Sequence, residues 1–456
     1  MNITGRRNKP DGMEVDESLL QEVVRSIDSG IERYLKWCNR MFINHWKESF
    51  SRRKISDYGD SFTLPKSGYV LGAQKFLSWV LCKIDPSRRN DNVHAEECDN
   101  FESELILLGL DSVLDDSVSI SSIDTVSQIN IDFKSIYSLE GIENFSNLKE
   151  ISFIGNFLNY VDFSSNINLI KIVGNLNGLD SIKITGLSSL LHFEIWSNNI
   201  TDIDFSTNIN IRYVHLRSNN LVNIGFLNND SLRFLNFEDN LINYVDISEL
   251  QSLEELICRV NILQSLDISN NTKLEILDCE LNQLFSLNLS NNPMLRYLDC
   301  ELNQLNSIDV SNNPLIYRLD CESNLISAID LSNNLLLSSF DIENNLVYSL
   351  DLTNNPITEL GCDKNPNLNY LDLRNGNNYN ITDFNIKDNP SLFCVNVDDP
   401  IWSANNWTVA NGSIDSQHYF STNCTSSSDF FLKNQNMKPL KFDILGRKVN
   451  IYNLIK

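Results

Sequence analysis

The stretch LDCELNQL occurs twice in the chain, at residues 277–284 and again at residues 298–305, so the two copies start 21 residues apart. A frame of this length starts at Leu148 and restarts nine times, up to Leu337, without an insertion. Position 0 is leucine or isoleucine, +3 is apolar, +5 is apolar, cysteine or once glycine, and +8 is always asparagine. Such repetition decides the architecture, because each repeat buries its apolar side against its neighbours.

The frame matches the leucine-rich-repeat pattern L-x-x-L-x-L-x-x-N/C-x-L and predicts a solenoid, a horseshoe or weakly curved arc. Residues +3 and +5 would point into the core from short parallel strands on the concave face. The asparagine at +8 would turn the chain and bond backbone groups that the bend leaves unpaired. We expect a 3₁₀ or extended convex side, a looser frame from Val126, and irregular frames from Ile357 and Leu368.

The repeated cysteine stands between two carboxylates, a setting that suits a metal site, a redox centre, a nucleophile or plain architecture. In register, the cysteines occupy the inward +5 position, where other coils carry phenylalanine, isoleucine or leucine. Free cysteine behaves as a small buried hydrophobe, and no C-x₂₋₄-C spacing supports zinc. We predict a stacked core ladder formed by Cys258, Cys279, Cys300, Cys321 and Cys362.

The charge of the chain is acidic and uneven. The sequence has 36 Lys+Arg against 60 Asp+Glu, a balance that argues against a general nucleic-acid binder and fits a cationic partner. Residues 1–98 are nearly neutral, so the acidic excess lies in the repeats. No apolar run is long enough to predict a transmembrane helix, and no standard signal peptide starts at Met1.

These patterns divide the chain into five predicted segments. Residues 1–97 form a helical region of unknown role, and residues 98–125 form an N-terminal cap. Residues 126–388 form a solenoid of about 12 coils, residues 389–424 a C-terminal cap, and residues 425–456 a linker with a partial sorting motif. Caps are needed because a terminal coil exposes its core.

Two cysteines of the C-terminal cap lie outside the +5 ladder. Cys394 and Cys424 would form a disulfide if the chain reaches an oxidising compartment. Otherwise they would remain two buried free thiols.

One candidate binding surface combines aromatic residues with an arginine. Exposed strand positions of three adjacent coils carry these side chains, which are typical of binding hot spots. The alternative is scattered surface aromatics, which need no explanation. The residues are His192, Glu194, Trp196, Tyr213, His215, Arg217 and Phe234.

A second candidate surface consists of two acidic lanes at +4 and +6 on the same face. Its principal residues are Asp278, Glu280, Asp299, Glu301, Asp320 and Glu322. Like charges at strand spacing repel each other, so the lanes serve a cationic ligand, bind Ca²⁺ weakly, or only keep the sheet soluble and unpaired. No single site shows a closed ligand set, so we predict no metal centre.

No catalytic motif accompanies the repeats. The sequence has no G-x-S-x-G, H-E-x-x-H, Walker or dinucleotide fingerprint, and its five histidines are scattered. We therefore expect a non-enzymatic protein without a cofactor, whose concave face binds a protein or glycan. Two alternatives stay open: a structural surface spacer, and an enzyme whose catalytic region lies in residues 1–97.

Several motifs resemble those of internalin-like bacterial leucine-rich-repeat proteins. LDCxxNxL is similar to their 21-residue class with a cysteine, and GIENFSNL at 141–148 looks like an entry into such arrays. NFESELILLGLDS at 100–112 and the segment 389–424 resemble caps of exported Bacteroidetes repeat proteins. KPLKFDILGRKVN at 438–450 is similar to the start of a type IX secretion sorting domain. The resemblance implies a secreted or cell-surface adhesion protein, with a cytoplasmic location as the alternative.

Overall fold

The computed structural model describes residues 100–115, 117–424, 441–442 and 448–449. The chain folds as a parallel-strand solenoid of about 14 turns, divided into two compact units, one up to Leu227 and one from Asn228. The predicted helical region 1–97 and most of the predicted sorting motif lie outside the described residues. In the described part, no helix is long and apolar enough to cross a membrane.

The first unit builds a main parallel sheet from one short strand per coil. It starts with helices α1 (Asn100–Leu107) and α2 (Ile120–Ile123) and has a 3₁₀ turn at Ile142–Asn144. The main strands are β1 (Gln128–Asn130), β2 (Glu150–Ser152), β4 (Lys171–Val173), β6 (His192–Glu194) and β8 (Tyr213–His215). The strands on the back of the coils pair as β3 (Tyr160–Asp162) with β5 (Ser181–Lys183), and as β7 (Asp202–Asp204) with β9 (Asn223–Gly225).

The second unit repeats this plan with a longer main sheet. Its main strands are β10 (Phe234–Asn236), β11 (Glu255–Ile257), β12 (Ile276–Asp278), β13 (Tyr297–Asp299), β14 (Arg318–Asp320), β15 (Ser339–Asp341), β17 (Glu359–Gly361) and β19 (Asp383–Asn385). The back strands are β16 (Ser349–Asp351), β18 (Tyr370–Asp372), β20 (Cys394–Asn396) and β21 (Tyr419–Ser421). The remaining elements are a 3₁₀ turn at Asn378–Asn380, α3 (Pro400–Asn406), and an antiparallel pair of β22 (Lys441–Phe442) and β23 (Lys448–Val449).

Asparagine side chains connect successive coils at the end of each main strand, as the sequence predicts. Asn282 is representative: its Nδ2 donates to Cys258 O (3.1 Å) and Cys279 O (3.2 Å), and its Oδ1 accepts from Leu263 N (3.0 Å). Amides of successive coils thus share the buried carbonyls, and Asn282 is the partner of the buried Leu263 N. The same ladder includes Asn156, Asn177, Asn198, Asn219, Asn261, Asn303, Asn324 and Asn345.

The cysteine ladder is also confirmed. All five predicted cysteines are free and fully buried. Burial in the apolar core raises the pKa of each thiol well above its ordinary value in Cys258, Cys279 and Cys362. A buried thiol that stays protonated is a poor nucleophile and a poor metal ligand. These cysteines therefore fill the core.

One frame predicted from the sequence is wrong. The frame from Leu368 assigns Tyr370–Asp372 to the main sheet, whereas this strand pairs with Ser349–Asp351 on the back. The main strand of that coil is Asp383–Asn385, in a frame that restarts at Ile381 and ends on the ladder residue Asn389. The error arises because the back strands carry the same alternation of leucines as the main strands.

The two ends of the described array differ in how they close. The spacing of Phe101, Leu105 and Leu108 in the sequence predicts one apolar face of a helical cap. In α1, Phe101 and Leu105 are buried, but Leu108 lies beyond the helix and is exposed. At the other end Asp399 caps α3 by accepting from two backbone N–H groups, and Trp407 stacks on Phe384 at 4.0 Å. The structure joins Cys394 and Cys424 in a disulfide.

Candidate ligand-binding surfaces

The aromatic surface of the first unit is built on two paired main strands. Parallel register places His192 of β6 beside Tyr213 of β8, and Glu194 beside His215. The rings of His192 and Tyr213 stack face to face, with centroids 4.3 Å apart. His192 also donates from Nε2 to Glu194 Oε1 at 2.6 Å. Strand pairing thus converts residues that are 21 positions apart into one contiguous patch.

Hydrogen bonds from a neighbouring coil hold Glu194 and the backbone of Trp196 in place. Asn175 donates to Glu194 Oε2 (3.3 Å) and accepts from the backbone N–H of Trp196 (3.0 Å). The hydrogen bond from His192 lowers the pKa of Glu194. Burial lowers the pKa of His215 to about 4, so this ring is neutral at pH 7. Asn175 is a member of this site that the aromatic pattern did not indicate, although it occupies the +6 position of its coil.

The structure brings together five of the seven residues predicted for the aromatic surface. His192, Glu194, Trp196, Tyr213 and His215 come together, with Trp196 and His215 at a ring-centroid distance of 6.4 Å. Arg217 follows the same strand at +6. Phe234 belongs to β10 of the second unit. The sequence predicted exposed side chains at these positions, but they are half-buried. Neighbouring side chains at strand spacing cover one another.

The second unit carries the acidic strip. We use this name for the carboxylates at +4 and +6 of its main strands: Glu238, Asp278, Glu280, Asp299, Glu301, Asp320, Glu322, Asp341 and Glu343. Parallel register stacks Asp278, Asp299, Asp320 and Asp341 directly beside one another. The predicted outward lanes are thus assembled, but several members are largely buried, with exposed fractions of 9% for Asp278 and 8% for both Glu280 and Asp299.

Burial changes the charge of this strip. It raises the pKa of Asp278 and Asp320 to about 8, that of Glu301 to about 9 and that of Asp341 to about 7, and the neighbouring carboxylates add to the effect. Like charges at strand spacing cannot all ionise at neutral pH. The strip therefore carries fewer negative charges at pH 7 than its sequence suggests.

A basic residue stands at each end of the acidic strip. The guanidinium of Arg259 lies 2.9 Å from Glu238, 3.6 Å from Asp278 and 3.5 Å from Glu280. At the other end Lys364 forms ion pairs with Glu343 and, at 3.4 Å, with Asp363. The repeat pattern did not indicate Lys364, because the coil that contains it departs from the 21-residue period.

Three sets of carboxylates in the acidic strip bring oxygens close enough together to surround a cation. Within each set the oxygens lie within 4.8 Å of one another. Hard cations such as Ca²⁺ prefer oxygen ligands of this kind. Arg259 competes for oxygens of the first set, and protonation competes for those of all three. The sets are Asp278, Glu280 and Asp299; Asp299, Glu301 and Asp320; and Glu322, Asp341 and Glu343.

A second series of aspartates, here called the back row, repeats on the other side of the second unit. Each accepts hydrogen bonds from the serine two residues later; Asp309, for example, accepts from Ser311 N at 2.9 Å. These bonds to serine lower the pKa of each aspartate. The back row consists of Asp246, Asp267, Asp309 and Asp330.

Comparison with solved structures identifies similar proteins. The functional domain of InlJ from Listeria monocytogenes, which includes a cysteine ladder, is 26% identical over 65% of this chain and 68% of its own, with a TM-score of 0.59. A Leptospira interrogans leucine-rich-repeat protein is 18% identical over 65% and 97%, with a TM-score of 0.50. A TDR receptor is 16% identical over 61% and 53%, with a TM-score of 0.52. No family model and no curated protein matches the sequence.

These neighbours establish a leucine-rich-repeat fold. Proteins of this kind are typically interaction or receptor domains and not enzymes, which fits a non-catalytic binding role.

Proposed function

We propose that the chain is a non-catalytic binding protein whose main-sheet face recognises a protein or glycan partner. The observation that carries this proposal is the pre-formed patch of His192, Trp196 and Tyr213, held by stacking and by the Glu194–Asn175 network. Rigid aromatic side chains provide contact area with little loss of conformational entropy on binding. The acidic strip would attract cationic groups of the same partner.

We further propose that the protein acts outside the cytoplasm, as a secreted or cell-surface adhesion protein. The disulfide between Cys394 and Cys424 supports an oxidising compartment, and the similarity to InlJ supports an internalin-like setting. Residues 1–97 would then be an accessory region, residues 98–125 and 389–424 the caps of the solenoid at 126–388, and residues 425–456 a type IX sorting segment of Bacteroidetes type. Fractionation of cells that express the full chain, with and without residues 425–456, tests this export.

Replacement of the aromatic patch tests the binding role. The full chain is screened against a glycan array and a displayed peptide library, and selected ligands are titrated against Trp196→Ala, Tyr213→Ala and Arg217→Ala. We expect each replacement to weaken binding at least tenfold, because truncation of a central aromatic or arginine contact costs about 2 kcal/mol or more.

The matched control replaces exposed aromatics of the second unit, Tyr244→Ala and Phe285→Ala. These should leave binding unchanged. A purely structural spacer would yield no selected ligand, or ligands that bind the patch variants and the control variants equally.

A further inference from the structure

The middle of the acidic strip lies between the ion pairs that Arg259 and Lys364 form at its two ends. Arg259 and Lys364 neutralise the two ends. Between them lie Asp299, Glu301, Asp320 and Glu322, here called the central carboxylates. In the described part of the chain, no lysine or arginine forms an ion pair with any of these four.

Arg259 shows what a cation does on this surface. Its side chain lies across the strip and contacts carboxylates of the coil before it and the coil after it, at 2.9–3.6 Å. The equivalent +6 positions of the next two coils are Glu280 and Glu301. A guanidinium or ammonium group supplied from outside would find carboxylates of two adjacent coils at the central position, and charge-assisted hydrogen bonds to them are stronger than neutral ones.

An exposed apolar row borders the acidic strip. Each of six successive coils exposes one leucine or isoleucine just after the main strand, at +9 in the first two and last two coils and at +7 in the middle two, with exposed fractions of 37–52%. We call this row the apolar ridge; it consists of Leu241, Ile262, Leu281, Leu302, Leu325 and Leu346. Single exposed leucines are ordinary on a protein surface, but exposed apolar residues that recur in every coil of one region point to an interaction site.

Two members of the ridge sit on unfavourable backbone. Leu281 and Leu302 adopt a left-handed conformation, both with φ of 53°. The same position is left-handed in the neighbouring coils, as Val260, Ser323 and Asn344, and asparagine tolerates this conformation better than a bulky residue. Leucine at these positions therefore costs stability and leaves apolar surface in water, which the fold by itself does not require.

We propose that the central carboxylates and the apolar ridge together form the docking surface for a cationic amphipathic helix of a partner protein. The inference rests on the proposed binding role and names the chemistry of its partner. Six coils at strand spacing extend the ridge over about 24 Å. A helix of about 16 residues has the same length, with basic residues on the carboxylates and apolar residues on the ridge.

Docking at this surface is coupled to proton release. Burial and neighbouring carboxylates hold the pKa of Asp320 at about 8 and that of Glu301 at about 9. A bound cation favours the ionised forms and displaces the protons they hold. The other charged or titratable groups that face the central carboxylates are Asp278, Glu280, Tyr297, Arg318, Asp341 and Glu343; the ends of the strip are occupied by Arg259 and Lys364.

The test titrates the full chain with a designed 16-residue amphipathic Lys/Leu helix, by calorimetry in two buffers of different ionisation enthalpy. We expect saturable binding whose apparent enthalpy depends on the buffer and whose affinity rises from pH 5 to pH 8. Asp299→Asn with Asp320→Asn should weaken binding at least tenfold. A Lys/Ser peptide without an apolar face should bind at least tenfold more weakly, and a Glu/Leu peptide should not bind.

Matched variants separate docking from general attraction to an acidic protein. Asp309→Asn with Asp330→Asn removes two charges at the same spacing from the back row and should leave the affinity unchanged. Leu281→Asn with Leu302→Asn should weaken binding at least fivefold while the midpoint of urea unfolding stays equal or rises, so lost binding cannot come from lost folding. Equal effects of the strip and back-row pairs, or an affinity independent of pH, would overturn the proposal.

The proposed function fails separately from this inference. If Trp196→Ala and Tyr213→Ala leave the affinity for the ligands selected by screening unchanged, that result argues against the aromatic patch but not against the docking surface. If binding of the Lys/Leu helix is lost only in the variant with Asp299→Asn and Asp320→Asn, that result would still support the docking surface.

Discussion

The second unit repeats aspartates at the same period on its two faces, but burial and pKa shifts of these aspartates are opposite on the two faces. On the main-sheet face, Asp278 and Asp320 are stacked and largely shielded from water, and burial raises their pKa to about 8. On the back, Asp267 and Asp309 are exposed, and hydrogen bonds from serine lower their pKa. Spacing in the sequence is the same for both, so the environment alone sets the charge.

The asparagines of the two faces differ in the same way. Asn303 on the main-sheet side donates to three backbone carbonyls and accepts from Leu284 N at 2.9 Å. Asn313 on the back donates to Leu289 O and Asn292 O, but its Oδ1 has no hydrogen-bond partner among the described residues. The main-sheet ladder is therefore the more fully satisfied network.

The largest expected effect compares these two ladders. Asn303→Ala leaves the buried Leu284 N without its partner and removes one of the two hydrogen bonds to each of three carbonyls, so it should lower the free energy of unfolding by about 3 kcal/mol. Asn313→Ala should cost about 1 kcal/mol, because it also removes an oxygen that was buried without a partner. Urea unfolding followed by circular dichroism measures both. Equal losses would show that the ladders contribute alike.

The next effect is the pH dependence of stability. A carboxyl whose pKa is raised by folding stabilises the fold fully below its unfolded pKa, near 4, and loses this contribution as the pH rises through the folded value. For Asp320 that loss extends from about pH 4 to about pH 8. We therefore expect wild type to become less stable from pH 5 to pH 9. Asp320→Asn should be more stable than wild type at pH 9 by about 2 kcal/mol.

Asp309→Asn is the matched control for this pH series. Its pKa is lowered by folding, so its contribution is present above the unfolded pKa and is lost as the pH falls. The variant should be slightly less stable than wild type at pH 7. A stabilising Asp309→Asn, or a destabilising Asp320→Asn at pH 9, contradicts the contrast between the two faces.

The smallest effect concerns the end of the acidic strip. Gly361 pairs with Asp341, and a Cβ at position 361 would lie 2.8 Å from the Asp341 carboxyl carbon. Gly361→Ala should therefore cost about 1 kcal/mol from overpacking. In an Asp341→Ala background the same change should be neutral, which a double-mutant cycle measures. If Gly361→Ala still lowers the free energy of unfolding in that background, the cause is backbone strain at position 361 and not contact with Asp341.

Most of the fold was predictable because every coil restates the same constraints. The ladder asparagines and the cysteines at +5 were assigned from register alone, since an inward position allows only residues that fill the core or bond its backbone. Prediction failed where the period broke: the coil after Ile357 is longer, so Tyr370–Asp372 was placed in the wrong sheet. The exposed Leu108 shows the same weakness at an end, where no neighbouring coil fixes the register.

The sequence by itself determined the repeat, the inward cysteines, the turn asparagines and which residues share the main-sheet face. Only the tertiary structure decided which of those face residues contact one another and how far each is shielded from water. Strand pairing turned His192 and Tyr213 into a stacked pair, and made carboxylates spaced 21 residues apart into neighbours that shield one another from water. The physical reason is that burial and charge repulsion depend on distances between coils, and a one-dimensional pattern does not contain those distances.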